Sequence, residues 1–386
     1  MKRSLIIFAV FLGCGAAASA QIGKKISVSA GTPEDKAVSE IYAAPDGPDK
    51  VALLDKFTTD FSGNNDMILL ADQLYQQTYF AQKNYAKALE YGEKILALDP
   101  DGFSAAVIMV HAAEEQGDTV KLFSVGERAN AIFVRFKAAP APADVSAEDW
   151  ANTKAEGIKN AQNDISYIEY ALANAAFKTP DPAARAKLFE RYLAAFPDAP
   201  YAGSVREQTA VAYQQAQNNP KMLETAQAIL VSDTNNISML LLLADYWSGA
   251  GKELDKAAAD AQKALDLLAQ AKKPDNIPDA QWQQQIALQK GLAYSSLGQV
   301  LVTKTKNAPA VDAFQKASPL LKSDTVSYAR NLYRLGFTLA KMQRTDEART
   351  ILTEAVSLNT PWKVPAQATL DKIGGPVARR PAHKAS

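Results

Sequence analysis

The stretch YSSLGQVLVTKTKNAPAVDAFQKASPLL, Tyr294 to Leu321, decides the fold. Its apolar residues recur three or four apart with Ala between them, and it lacks the strict alternation of a half-buried strand, so it reads as a pair of helices. Gly298 on the first helix and Ala310 and Ala317 on the second are small where the two must approach. Bulk at those places would push the helices apart. The next pair repeats the pattern: Tyr294, Leu297, Gly298, Leu301, Ala310, Phe314 and Ala317 correspond to Leu332, Leu335, Gly336, Leu339, Ala348, Leu352 and Ala355.

The same frame, carried along the chain, gives eight pairs, with a small or apolar signature residue at Val51, Ala88, Leu122, Ala186, Leu223, Ala257, Ala310 and Ala348. Their separations are 37, 34, 64, 37, 34, 53 and 38 residues. The series is itself periodic, as if a unit of three pairs and a long connection had been duplicated and partly repeated. PDGPDKVALLDKFTTDF from Pro45 aligns without a gap on PDPAARAKLFERYLAAF from Pro180, 135 residues later. Each long connection carries a tryptophan, Trp150 or Trp282, and after it a helix of roughly twenty residues is predicted. The tryptophans are expected to pack these inserted segments back on the repeats. Helix starts are marked by Thr32 with Pro33 and Asp35, Asp181 with Pro182, and Ser323 with Asp324. The frame departs from small residues at Gln76, Val110 and Asn174 on first helices and at Leu122 and Leu223 on second helices.

This pattern resembles the tetratricopeptide repeat, most fully in the last two pairs. The resemblance implies an all-α, right-handed superhelical solenoid of about eight helix pairs with two longer helical insertions. Its expected parts are a signal peptide (1–20), a flexible segment (21–31), a first module (32–136), a loop and long-helix insertion (137–166) and a second module (167–271). A second insertion (272–290), the C-terminal pairs (291–373) and a disordered basic tail (374–386) complete the chain. The string YLAAFPDAPYA, Tyr192 to Ala202, is similar to the helix end and turn of bacterial envelope tetratricopeptide proteins, including lipoproteins of the β-barrel-assembly machinery.

In the family, certain positions of the first helices face a concave groove that holds a peptide or protein partner. Here they fall on Leu70, Gln73, Gln77 and Phe80, on Val107, His111 and Glu114, and on Arg330, Tyr333, Phe337 and Lys341. Amides suit a peptide backbone, aromatics supply anchoring area, and Arg330 or Lys341 suits a carboxylate. Phe80 and Phe337 equally suit the seam between adjacent helices.

The N-terminus reads as a secretory signal. Lys2 and Arg3 precede an apolar run, Leu5 to Leu12, and then Ala18, Ser19 and Ala20, so cleavage would leave Gln21 first. Cys14, the one cysteine, sits in FLGC, which is similar to a lipidation site, and lipid anchoring through it is the alternative to its removal. Without Lys2 and Arg3 the chain has 40 basic against 42 acidic residues, so nucleic-acid binding lacks an electrostatic basis. A periplasmic or secreted location is expected.

The two histidines, His111 and His383, are far apart, and His111 is expected as a partly exposed surface residue. No phosphate loop, dinucleotide fingerprint, His-Glu-x-x-His pattern or nucleophile elbow occurs, so neither catalysis nor a cofactor is expected. The function indicated is a non-enzymatic scaffold for a protein or peptide partner. Envelope assembly as a Cys14-anchored lipoprotein is the alternative, and a helical hydrolase of cell-wall polymer is a third reading.

Overall fold

The computed structural model describes residues 21–374, and regular structure among them is helical throughout. The expected signal peptide (1–20) with Cys14, and the expected tail beyond Gly374 with His383, lie outside the described residues. The chain divides within one helix into two compact units, residues 1–205 and 206–386. Unit 1 holds α1 (Pro33–Ala43), α2 (Pro48–Asp60), α3 (Asn65–Ala81), α4 (Tyr85–Leu98), α5 (Phe103–Glu115), α6 (Thr119–Ala138), α7 (Ala147–Lys178) and α8 (Pro182–Ala195). The division falls in α9 (Ala202–Gln215). Unit 2 continues with α10 (Asn219–Ser232), α11 (Ile237–Ala250), α12 (Leu254–Gln270), α13 (Asp279–Thr303), α14 (Asn307–Leu320), α15 (Thr325–Lys341), α16 (Thr345–Ser357) and α17 (Lys363–Lys372). No helix among the described residues is long and apolar enough to cross a membrane.

The fold is an all-α succession of helix pairs, as expected. Each of the eight signature residues lies three or four residues into an even-numbered helix, α2 to α16. Ala88, Ala186, Ala257, Ala310 and Ala348 are fully buried there. The register is set by the turn. Lys83, Gly117, Gln217, Thr305 and Gln343 all have φ near +60° and swing the chain from one helix into the next. Four of these precede the expected signature residue by five, whereas Gln217 stands five before Met222. Met222 is fully buried and Leu223 only half so, which moves the signature of the fifth pair one residue toward the N-terminus.

Close approach within a pair rests on missing side chains. A Cβ added to Gly336 would lie 2.6 Å from Leu352 Cγ, and one on Gly298 would lie 2.5 Å from a ring carbon of Phe314. In the last unit Phe314, Leu332, Leu335, Leu339, Leu352 and Leu370 form one core, and α17 closes its end through Ala366 and Leu370. The expected helix starts are real caps: Thr32 Oγ1 accepts from Asp35 N at 3.2 Å, Asp181 Oδ1 from Ala184 N at 2.7 Å, and Asp324 Oδ1 from Ser327 N at 3.1 Å.

Two features differ from the sequence reading. The long helices after the Pro-containing loops are not separate insertions, because α7 (32 residues) and α13 (25 residues) run without a break into the first helix of the following pair. Neither span contains an internal proline that would stop it. Trp150 does pack as expected: its indole N–H donates to Ala139 O at 3.2 Å and its ring meets Phe136 edge-on. Residues 21–31, expected to be flexible, instead lie against unit 1. Ile22 is buried, Lys24 N donates to Asp99 Oδ2 at 2.8 Å, and Ile26 and Val28 join the α1–α3 core. Gly23 makes this possible, with φ +106° and no room for a Cβ beside Asp99 and Asp101.

These contacts predict opposite outcomes for two glycine substitutions. Gly336→Val should lower stability by about 2 kcal/mol through overpacking, while Gly203→Ala, on open surface in α9, should raise it by about 0.5 kcal/mol. Urea midpoints of the two variants check both signs.

Candidate functional site

The first-helix residues singled out in the sequence fall into two groups, one in each unit. In unit 1 they are carried by α3 and α5, which are zipped together by a buried side chain: Gln76 Nε2 donates to Ala105 O at 3.0 Å. Gln76 occupies a place that the repeat frame keeps small, and its amide spends its donor on the neighbouring helix rather than on a ligand. Gln77 is exposed, Gln73 and Phe80 are half-buried, and Val107 is buried in the helix packing, with 5% exposure. Val107 therefore offers no surface to a partner.

His111 is not a plain surface histidine. Its ring stacks on Tyr167 of α7 at 4.1 Å between centroids, with 22° between planes, and meets the edge of Phe80 at 6.2 Å. Phe80 in turn leans on Tyr85 at 5.6 Å. The Tyr167 hydroxyl donates to the Glu114 carboxylate, so the stacking partner is fixed from below. Burial pushes the His111 pKa below its ordinary value, against the pull of Glu114 and Glu115. The imidazole is consequently neutral at pH 7, with one nitrogen able to donate and one to accept. Burial and the bond to Glu114 both push the Tyr167 phenol upward. The assembly is a short aromatic shelf with amide and carboxylate groups beside it. It can stack on an apolar or aromatic side chain and hydrogen-bond a peptide group.

The second group, on α15, is largely engaged within the chain. Arg330 Nη1 donates to Asp245 Oδ2 of α11 at 2.7 Å, and Arg334 stands 3.7 Å from the other Asp245 oxygen. Arg334 Nη1 also donates to Ser295 Oγ of α13 at 3.3 Å. Two cations thus share one carboxylate. Burial works to raise the Asp245 pKa, but Arg330 and Arg334 outweigh it and hold the carboxyl below the usual aspartate range. Burial lowers Arg334 to about 10. Tyr333 stacks on Trp362 at 5.6 Å, and Lys341 sits over the Phe337 ring at 5.1 Å. The carboxylate that Arg330 was expected to meet on a partner is supplied by Asp245, and Trp362 covers Tyr333. Phe337 stays half-buried beside Tyr333, and Lys341 is exposed.

The sequence reading missed Tyr167, Asp245, Arg334 and Trp362. Asp245 left a trace: it stands twelve residues before Ala257, where Gly298 and Gly336 stand before Ala310 and Ala348. A carboxylate at a position otherwise kept small signals a polar contact.

Residues 329–360, the span of α15 and α16, match the family model of the tetratricopeptide repeat. No curated protein matches the chain. Among solved structures it is similar to yeast Tom70, at 15% identity and TM-score 0.39 over 80% of this chain and 64% of that one. The Cut9–Hcn1 hetero-tetramer of the APC/C is also similar, at 15% identity and TM-score 0.37 over 89% and 63%. A third similar structure, the tetratricopeptide domain of P58(IPK), has 16% identity and TM-score 0.26 over 89% and 88%. The chain therefore spans under two thirds of the first two.

The Asp245 triad makes a stability prediction. Asp245→Asn should cost unit 2 about 3 kcal/mol, because two largely buried guanidinium groups lose the one carboxylate they pair with among the described residues. Since the carboxyl is depressed in the folded state, its contribution is complete above the ordinary aspartate value near 3.9 and is lost as pH falls through the lower folded value. Denaturation midpoints should therefore separate wild type from variant at pH 7 and converge in strong acid.

Proposed function

We propose that this protein is a non-enzymatic, exported interaction scaffold, and that the shelf of Phe80, His111 and Tyr167 in unit 1 is where it holds an extended segment of a protein partner. The observation that carries the reading is the half-exposed stack itself. Rings fixed in place by Tyr85 and Glu114 give a partner apolar area at little entropic cost. Gln77 beside them is exposed and offers an amide to the partner's backbone. The repeat match at residues 329–360 supports a scaffold, since helix-pair repeats supply extended binding surfaces. Export is supported by the N-terminal pattern of Lys2 and Arg3, the apolar run Leu5 to Leu12 and the small residues Ala18, Ser19 and Ala20. On this reading the groove group of α15 has a different role, with Arg330 and Tyr333 holding unit 2 together.

A photo-crosslinking residue at Gln77 should trap one discrete partner in an envelope fraction of the native host, and the same residue at exposed Val364 should not. Phe80→Ala with His111→Ala should cut that crosslink at least about tenfold, the loss of roughly 1.4 kcal/mol. Equal trapping at both sites, or an undiminished crosslink in the double variant, contradicts the assignment.

A further inference from the structure

Unit 1 has a second surface that the shelf does not use. A trough of about 730 Å³ is lined by the end of α5, the start of α6, the end of α7 and α8. Its lining includes the small residues Ala171 and Ala175 of α7 and the apolar side chains of Leu122 and Leu188. Leu122 and Asn174, both lining it, are two of the departures from small residues noted in the repeat frame. Side chains of that size keep helices from closing as α15 and α16 do, and the trough lies where they occur.

The rim is cationic on balance, with Lys178, Lys187 and Arg191 against the one carboxylate of Glu114. Lys178 and Lys187 are exposed and, among the described residues, have no ion-pair partner. Arg191 is paired with Glu127 at 2.8 Å, and Glu114, which accepts from Tyr167, carries its negative charge at the α5 end of the trough, away from the two lysines in sequence and element. Val120 stands at the rim 74% exposed, an aliphatic side chain with nothing over it. The volume is in the range of formed binding sites, and an apolar trough lined by helices suits a further amphipathic helix laid along it.

We infer that this trough docks an acidic amphipathic segment of a partner protein, its apolar side chains on Ala171 and Ala175 and its carboxylates against Lys178 and Lys187. The surface shares only Glu114 with the His111 shelf, so each stands or fails by itself.

The test uses the mature full chain and a fluorescein-labelled peptide of about fourteen residues, about 21 Å as a helix, with leucines on one face flanked by glutamates. Anisotropy should show saturable binding, at least about tenfold weaker for the same peptide with lysines in place of glutamates. Lys178→Glu with Lys187→Glu should weaken binding of the acidic peptide by a similar factor, and Ala175→Trp should abolish it by filling the trough. His111→Ala should leave it unchanged. Because the lysines are exposed, the charge reversal remains informative if the tryptophan variant fails to fold. The inference is overturned if the acidic peptide does not saturate by about 1 mM, the weak end of specific binding, if both peptides bind equally, or if charge reversal changes nothing. Saturable uptake of dodecanoate without binding of the acidic peptide overturns it in favour of a lipid-like ligand.

Discussion

The structure depends on how closely the two helices of a pair can lie. At Gly298 and Gly336 even a methyl group would overlap the facing Phe314 or Leu352. The alanines at the heads of the second helices are fully buried for the same reason. Backbones held this near allow large apolar residues to interlock on either side, which gives a core such as the one built around Phe314, Leu335 and Leu352. Burial of that kind is the main favourable contribution in any fold, and here it accumulates between sequential neighbours, as in repeat proteins generally. Where the small residues give way to Leu122 and Asn174, a trough appears.

The polar interactions are laid over this packing and depend on it. Gln76 can reach Ala105 only because α3 and α5 are already adjacent, and Arg330 can reach Asp245 only because α11, α13 and α15 bring residues 85 apart in sequence together. The two candidate groups diverge on this account. In unit 2 the charged and aromatic groups find partners inside the chain, in Asp245, Ser295 and Trp362. In unit 1 the aromatic groups support one another and leave a half-exposed shelf.

Much of the architecture was legible in the sequence because close packing writes itself as small residues at fixed spacing. The eight pairs, the caps at Thr32, Asp181 and Asp324, and the packing of Trp150 all follow from residue type and period. The shift from Leu223 to Met222 was hidden because both are apolar and only the left-handed turn at Gln217 fixes the register. The docking of residues 21–31 was hidden because it depends on Asp99 and on cores far along the chain. At the sites, the repeat frame put Phe80 and His111 on successive first helices, but which groups meet there is a matter of distance. Tyr167 and Asp245 lie 56 and 85 residues from His111 and Arg330, and no local pattern joins them.

The central claim is that this packing presents the Phe80, His111 and Tyr167 shelf to a partner. Amide hydrogen exchange of residues 21–386, alone and bound to the partner trapped through Gln77, tests it most directly. The account predicts slowed exchange concentrated in α3, α5 and the C-terminal half of α7, with α15 to α17 unchanged. Protection confined to α15–α17, or none in α3 and α5, would contradict it.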